Sequence, residues 1–336
     1  MDKTYSYSQR IVVFGGGTGQ FNLLRGLVAQ NQPECITAVP GTWDSGGSSG
    51  RLRTELGILP PGDARRCLIA LMEDDTQREV ALQLFEDRLE GMGSLEGQAV
   101  GNLIIARLEK ANAGQMSGMD AASILFGVKS HIRLVSTNKL TLMSKTAGGM
   151  ELENEEDIDH MWKKEGYSAD DRITSIFFES PAKANPAVLD AIREADKIVF
   201  SMGSLYGSIL PHLLVPGIRE AINESKAKVY FIVNVMTERG QTSAFHSASD
   251  HVKEFVRYLG NAEKLDFILV NTKQLSEEVI EIYQQEGQKP VEINEEECKK
   301  LAPQAQILSG SLAEYFPNEH LLRHDADKLA ELILAS

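Results

Sequence analysis

Basic residues are in short supply in this chain. Its 336 residues hold 34 Lys and Arg against 48 Asp and Glu, a formal net charge of −14. Such a surface repels phosphate backbones and anionic headgroups, so neither nucleic acid nor a membrane is an expected partner. Cysteine is scarcer still: Cys35, Cys67 and Cys298 are odd in number and far apart. That argues against a disulfide framework or a zinc cage and leaves the thiols as small core residues. No apolar run approaches the length needed to span a bilayer. Residues 1–10 are polar and aromatic, unlike a signal peptide, and a reducing cytoplasm is the expected setting. Signatures of nucleophilic and zinc catalysis are missing as well. There is no G-x-S-x-G elbow and no H-E-x-x-H pair among the seven histidines. His246 and His251 follow no ligand spacing and read as surface or hydrogen-bonded side chains.

Glycine-bearing turns are what the chain does have. The apolar run at residues 11–14 leads into Gly15-Gly16-Gly17-Thr18-Gly19. Two further turns follow within about fifty residues, Asp44-Ser45-Gly46-Gly47-Ser48-Ser49-Gly50-Arg51-Leu52-Arg53 and Pro60-Pro61-Gly62-Asp63-Ala64-Arg65-Arg66. Glycine lets backbone N–H groups approach an anion, small hydroxyls add donors, and arginine clamps phosphate oxygens in a planar fork. A phosphorylated ligand is therefore expected on Gly16, Gly17, Thr18, Gly19, Gly46, Gly47, Ser48, Ser49, Arg51 and Arg53. The first turn is not a dinucleotide fingerprint, because the third glycine of G-x-G-x-x-G falls on Gln20, and no Gly-Lys-Ser/Thr makes it a Walker loop. Asp44 can position a hydroxyl or hold Mg²⁺ with water and phosphate. Asp63 can cap the following helix or meet the ligand. Arg65 and Arg66 can pair with Asp63 or reach phosphate. Gly203-Ser204 forms a second strand–turn–helix cradle. Tyr206 beside it can stack, hydrogen-bond or simply fill the core.

Short apolar runs at residues 11–14, 36–39, 197–201, 229–234 and 265–271 read as buried strands. Between them, residues 21–30, 63–73, 77–89, 101–110 and 210–225 are patterned as helices. The alternation predicts a Rossmann-like three-layer α/β/α fold around a mostly parallel sheet. Ligands of such sheets sit at the carboxyl ends of the strands, where the glycine turns fall. Residues 131–179 alternate apolar and polar with Gly148-Gly149 as a turn, and predict a small antiparallel β subdomain inserted into one domain spanning residues 10–330. The acidic run at residues 151–159 reads as a solvated face. Residues 274–305 are charged, helical in pattern and peripheral. No internal repeat or low-complexity linker is present.

The ordered set of motifs resembles one family. The three turns above, together with Gly101-Asn102-Leu103-Ile104, Gly203-Ser204-Leu205-Tyr206-Gly207-Ser208-Ile209-Leu210-Pro211, Asn234-Val235-Met236-Thr237 and Arg323-His324-Asp325, are similar to those of YvcK-like proteins, also called gluconeogenesis factors. These belong to the wider superfamily of CofD, the 2-phospho-L-lactate transferase of deazaflavin coenzyme biosynthesis. The resemblance runs from about residue 10 to the C-terminus. It implies a UDP-N-acetylglucosamine-binding regulator of cell-envelope or carbon metabolism, acting as a homo-oligomer, a dimer. The alternative it implies is a transferase passing a phospholactyl group from a nucleotide diphosphate carrier to a deazaflavin, with Mg²⁺ on Asp44 the one cofactor. It adds Asp63, Asn102, Gly203, Ser204, Asn234 and Thr237 to the site, with Phe245 and Arg323 on the far wall. For the last two, a core and a surface role are the alternatives.

Four positions depart from the family pattern. Ser45 replaces a second carboxylate, which weakens a two-carboxylate Mg²⁺ site and with it the transferase reading. Gln98 replaces a histidine, Ser201-Met202 replace Gly-Pro, and Phe245 replaces a tyrosine. A nicotinamide oxidoreductase is the third function the fold class allows, and the failed fingerprint counts against it.

Overall fold

The computed structural model describes residues 5–112, 116–317 and 319–336, so residues 1–4 of the polar amino-terminal segment lie outside it. Among the described residues the strands are β1 (Ile11–Gly15), β2 (Ile36–Pro40), β3 (His131–Ile132), β4 (Leu142–Thr146), β5 (Glu151–Leu152), β6 (Ile173–Phe178), β7 (Lys197–Phe200), β8 (Lys228–Ile232), β9 (Phe267–Asn271), β10 (Gln306–Gly310), β11 (Ala313–Phe316) and β12 (Leu321–His324). The α-helices are α1 (Gly17–Gln30), α2 (Gly47–Leu56), α3 (Gly62–Ala70), α4 (Asp75–Glu86), α5 (Val100–Ala111), α6 (Gly118–Leu125), α7 (Glu155–Asp159), α8 (Pro186–Glu194), α9 (Ile218–Glu224), α10 (Ala248–Leu259), α11 (Glu277–Gln285), α12 (Glu295–Leu301) and α13 (Ala326–Ala335).

Seven strands form one parallel sheet in the order β10-β9-β8-β7-β1-β2-β3. The central strands read as continuous apolar runs because both their faces are covered. On β1, Val12 and Phe14 face one layer while Ile11 and Val13 face the other. The first layer holds α8, α9, α10 and α12, with Phe14 stacked on Phe200 at 5.1 Å and Phe231 on Phe255 at 4.3 Å. The second holds α1, α3 and α13, with Leu23, Leu24, Leu27, Leu329 and Ile333 fully buried. This is the expected three-layer α/β/α arrangement.

Strand order reverses between β1 and β7. From β1 the chain moves outward through β2 to β3, and from β7 it moves the other way to β10. The loops after β1 and β7 therefore diverge and open a crevice at the carboxyl edge of the sheet, the place where such folds seat ligands.

Three local differences from the sequence expectation have physical reasons. His131 and Ile132 pair with β2 in the main sheet, so the antiparallel β5-β4-β6 sheet occupies only residues 142–178. Residues 210–225 do not form one helix: a 3₁₀ turn at Leu210–Leu214 is separated from α9 by Pro216 and Gly217, which interrupt the backbone ladder. The β11–β12 hairpin is new, since four-residue strands of mixed burial leave too little periodicity to read. Within β5-β4-β6 the glycine turn is where it was expected, with Gly149 N–H donating to Thr146 O.

Candidate functional site

Two loops meet so closely at the switch point that only glycine fits. A β-carbon on Gly19 would stand 1.9 Å from the carbonyl oxygen of Met202, so the first turn of α1 packs directly on the loop after β7. Gly17 adopts φ +57°, which a β-carbon would strain. Gln20 stands where the dinucleotide fingerprint needs its last glycine, and its Nε2 donates to Val13 O at 2.9 Å.

The three glycine turns of the amino-terminal half converge on one cavity of about 450 Å³. Each opens a helix whose first turn lacks a side-chain cap: Gly16 before α1, Gly46 before α2 and Pro61 before α3. The first turns of α1 and α2 carry no acidic residue. Three helix amino termini thus bring backbone N–H groups and positive dipole ends to the same volume, with Gly17 N–H of α1 already donated to Asp63. Gly16, Gly17, Thr18, Gly19, Asp44, Gly46, Gly47, Ser48, Ser49, Asp63, Asn102, Gly203 and Ser204 all line it.

Arg51 and Arg53 do not. Arg51 lies on the outer face of α2, where its guanidinium donates to Glu96 O and to Ser94 O, the latter at 2.6 Å. Arg53 donates to Thr141 Oγ1 at 3.0 Å, toward the antiparallel sheet. The arginines that face the cavity are Arg65, Arg66 and Arg88. Arg65 is fixed by Asn102 Oδ1 and Glu86 Oε1, both at 2.8 Å, and Asn102 Nδ2 donates in turn to Ser48 Oγ at 3.0 Å. Ser48 Oγ donates to Gln98 Oε1 at 2.6 Å, so the family's histidine position belongs to this buried network. Arg66 donates to Thr18 Oγ1 at 3.3 Å and Arg88 to Gly97 O at 3.0 Å, which leaves both forks room for an anion.

Four carboxylates share the cavity with these cations: Asp44, Asp63, Glu155 and Asp159. Asp63 is not the cap of α3. It sits inside the first turn and accepts from Gly17 N–H at 2.8 Å. Burial and the nearby Asp44 charge push its carboxyl up to about 6. Burial raises Asp44 too, against the opposing pull of Ser49, Gly46 N–H and Arg66. Burial, then repulsion from Asp159, Asp44 and Asp63, holds the Glu155 carboxyl far above the usual carboxylate range. The acidic run is therefore only half a solvated face. Glu151 and Glu156 are exposed, while Glu155 and Asp159, four residues apart on α7, turn into the cavity.

Ser45 does not line the cavity. Its Oγ accepts from Glu156 N–H at 3.1 Å and so holds the first turn of α7. The oxygen set suits Mg²⁺, which takes one or two carboxylates and completes its shell with water and phosphate. Among the described residues no three His, Cys, Asp or Glu side chains are arranged to hold a metal ion on their own. Asp44 and Asp63 would hold Mg²⁺ with a ligand's phosphate.

A second cavity of about 220 Å³ continues past Thr18, Gly19 and Gly203. Asn234 and Thr237 line it, as expected, and so does Arg323. Asn234 locks the loop after β7 by accepting from Gly203 N–H at 3.1 Å and donating to Gly203 O at 2.8 Å. Thr237 Oγ1 accepts from Lys289 N–H at 3.0 Å. Phe245 is absent from this wall. It is a core residue, edge-on to His251 at 5.0 Å and to Tyr206 at 6.5 Å, and Tyr206 is likewise core. The aromatic ring that faces Arg323 across the cavity is Tyr283 of α11, whose hydroxyl accepts from Leu322 N–H at 2.7 Å. Glu238, also on this wall, accepts from Leu205 N–H at 3.0 Å, and burial pushes its carboxyl up to about 8. Ser204 Oγ donates to Gln241 Oε1 at 2.9 Å, and Gln241 Nε2 donates to Asp159 at 2.7 Å, tying two residues of the first cavity together.

The cysteines are free, with Cys67 and Cys298 buried and Cys35 half-buried. No helix among the described residues is long and apolar enough to cross a membrane.

Comparison with known proteins agrees with the motifs. The CofD family model, described as 2-phospho-L-lactate transferase CofD, matches residues 11–309. A gluconeogenesis factor of Halalkalibacterium halodurans is 38% identical over 330 residues, covering 97% of this chain and 96% of its own. The gluconeogenesis factor of Bacillus subtilis is 35% identical over 327 residues and covers 97% of each. A crystal structure of a upf0052-family protein from Bacillus halodurans superposes with a TM-score of 0.86 at 36% identity, covering 97% of this chain and 100% of its own. The chain belongs to the CofD family, in the branch of the gluconeogenesis factors, the YvcK-like proteins.

Proposed function

We propose that this protein is a cytoplasmic nucleotide-sugar-binding regulator, with UDP-N-acetylglucosamine or a close relative as its ligand. The observation that carries this reading is the convergence of three uncapped helix amino termini, Arg66 and Arg88 on one cavity. A diphosphate has two negative centres, and this arrangement offers backbone donors and cations to both, with Asp63 taking one N–H of α1. The cavity past Gly203 gives the remaining bulk a place beside Asn234, Thr237, Tyr283 and Arg323. The two volumes together suit a ligand of nucleotide-sugar size. A role in carbon metabolism accords with the relatives' name, gluconeogenesis factor, a link to cell-envelope metabolism is part of the proposal, and the working form is a homodimer. Mg²⁺ would bind with the diphosphate, through Asp44 and Asp63.

Calorimetry with UDP-N-acetylglucosamine, UDP, GDP and NAD, each with and without Mg²⁺, tests the reading. The UDP-sugar should bind saturably at one site per chain and NAD should be silent. Saturable NAD binding with silence from every UDP and GDP ligand would overturn it.

One observation favours the transferase alternative. Asp63 and Asp159 line the same cavity as Asp44, so acidic groups stand beside the phosphate volume without a carboxylate at position 45. Incubation with a nucleotide-activated phospholactate, a deazaflavin and Mg²⁺ decides this by chromatography. A phospholactyl-deazaflavin product at a turnover rate would establish transfer, and its absence alongside UDP-sugar binding would leave the regulator.

A further inference from the structure

The amino-terminal half of α1 presents a stripe outside the sheet. Thr18, Phe21, Asn22 and Arg25 recur at i, i+3, i+4 and i+7 and face one cavity of about 380 Å³, while Leu23, Leu24, Leu27 and Val28 bury the opposite side. Three guanidinium groups enter this cavity: Arg25, Arg66 and Arg323. Phe21, Leu82 and Phe316 supply its apolar walls. Among the described residues neither the Arg25 nor the Arg323 side chain is held in an ion pair or side-chain hydrogen bond, and Glu319 is the carboxylate that attracts Arg323. Glu86 is engaged by Arg65 at 2.8 Å and by Arg66 at 3.6 Å, and Glu319 stands exposed at the rim. The positive charges outnumber the carboxylates in a chain whose net charge is −14. Three converging cations on so acidic a protein repel one another and are stabilised by an anion between them. Aromatic walls around a cationic centre suit a planar apolar group carrying that anion.

We propose that this cavity is a second ligand site, separate from the diphosphate cavity, for a small aromatic phosphate monoester. Two or three guanidinium forks would take the phosphate, and the ring would lie against Phe21 and Phe316. Because Arg66 and Arg323 also face the two main cavities, an occupant here would communicate with the nucleotide site through shared side chains.

Phenyl phosphate and inorganic phosphate are the probes, titrated by calorimetry into the wild-type protein, Arg25→Gln, Phe316→Ala and Arg88→Gln. Arg25 and Phe316 face only the proposed site, and Arg88 only the diphosphate cavity. Phenyl phosphate should bind more tightly than inorganic phosphate. Arg25→Gln should cost about tenfold or more in affinity, as expected for one charged hydrogen bond. Phe316→Ala should remove the preference for the aromatic ester, whereas Arg88→Gln should weaken only phosphate binding in the diphosphate cavity and keep that preference. Circular dichroism confirms that each variant is folded. Absence of binding, equal affinity for inorganic phosphate, or loss in Arg88→Gln with retention in Arg25→Gln would each overturn the proposal. The outcome does not depend on whether a UDP-sugar binds the main cavities.

Discussion

Gly17 N–H donates to Asp63 Oδ1 at 2.8 Å, a bond that joins the start of α1 to the first turn of α3 across 46 positions of sequence. The bond places a carboxyl group within a cradle otherwise built for anions. Asp63 is consequently divided between two demands. Its hydrogen bond favours the charged form, while burial and the neighbouring Asp44 oppose it and prevail.

Asp63→Asn should therefore raise the stability of the ligand-free protein at pH 8. The amide keeps an acceptor for Gly17 N–H and removes the repulsion from Asp44. Thermal unfolding at pH 8 should show a higher Tm than wild type. A lower Tm would mean that the charge itself holds the turns together. Binding of UDP-N-acetylglucosamine to the same variant reports on metal use. Without Mg²⁺ the affinity should be equal or tighter, and a loss seen only with Mg²⁺ present would mark Asp63 as a metal ligand.

Glu238 gives the clearest pH signature. Its ordinary value is 4.5, and burial pushes it up to about 8 in the fold. A carboxyl raised on folding binds its proton more tightly in the native state. Its stabilising contribution is complete below about 4.5 and is lost as pH rises toward 8, with a limiting slope of about 1.4 kcal/mol per pH unit. Glu238→Gln should flatten the fall in stability across that window and be the more stable protein at pH 8.5. Denaturant titrations of both proteins from pH 5 to 8.5 measure the difference, and parallel curves would refute the assignment.

Arg66→Ala should weaken diphosphate binding by about tenfold or more, the usual worth of one charged hydrogen bond. Arg51→Ala should bind as wild type, because its guanidinium is already held by Glu96 O and Ser94 O. Titration of each variant with UDP distinguishes them. The reverse pattern would return the phosphate to the Arg51 side of α2.

The contrast between these two arginines shows what a sequence can carry. The buried parallel strands are legible because continuous apolar runs need no partner to be recognised, and the glycine turns are legible because they must follow those strands. Side-chain direction on a helix is harder. Arg51 and Arg53 follow the Gly-Gly-Ser-Ser turn directly, yet α2 carries them away from the cavity, whereas Arg65, Arg66 and Arg88 arrive from other segments. Glu155 and Glu156 are adjacent and chemically alike. Only the position of α7, set by Asn154 and by Ser45 from a distant loop, decides that one faces the ligand volume and the other water. Likewise nothing near Tyr283 in the charged stretch at residues 274–305 marks it as a wall of the site. Its proximity to Arg323 is created by the β11–β12 hairpin, whose short strands carry no readable period.

Tyr283 and Phe245 supply the last test, since the family resemblance put Phe245 on the far wall of the site and the structure has Tyr283 there. Tyr283 faces Arg323 across the second cavity, with its ring available to a base or sugar and its hydroxyl fixed by Leu322 N–H. Tyr283→Ala and Arg323→Ala should therefore each weaken UDP-sugar binding while leaving the Tm within a few degrees of wild type. Tyr283→Phe should keep most of the affinity, because the hydroxyl serves the hairpin and the ring serves the ligand. Phe245→Ala belongs to another class. Its ring packs among Tyr206 and His251 in the larger core, and its removal should cost about 3–5 kcal/mol of stability. At a temperature where that variant remains folded, its affinity for the UDP-sugar should match wild type. Calorimetric titration paired with thermal unfolding separates the two effects. A Phe245→Ala protein of normal stability and lost affinity, or a Tyr283→Ala protein that binds as wild type, would place the ligand on the other side of the loop after β8.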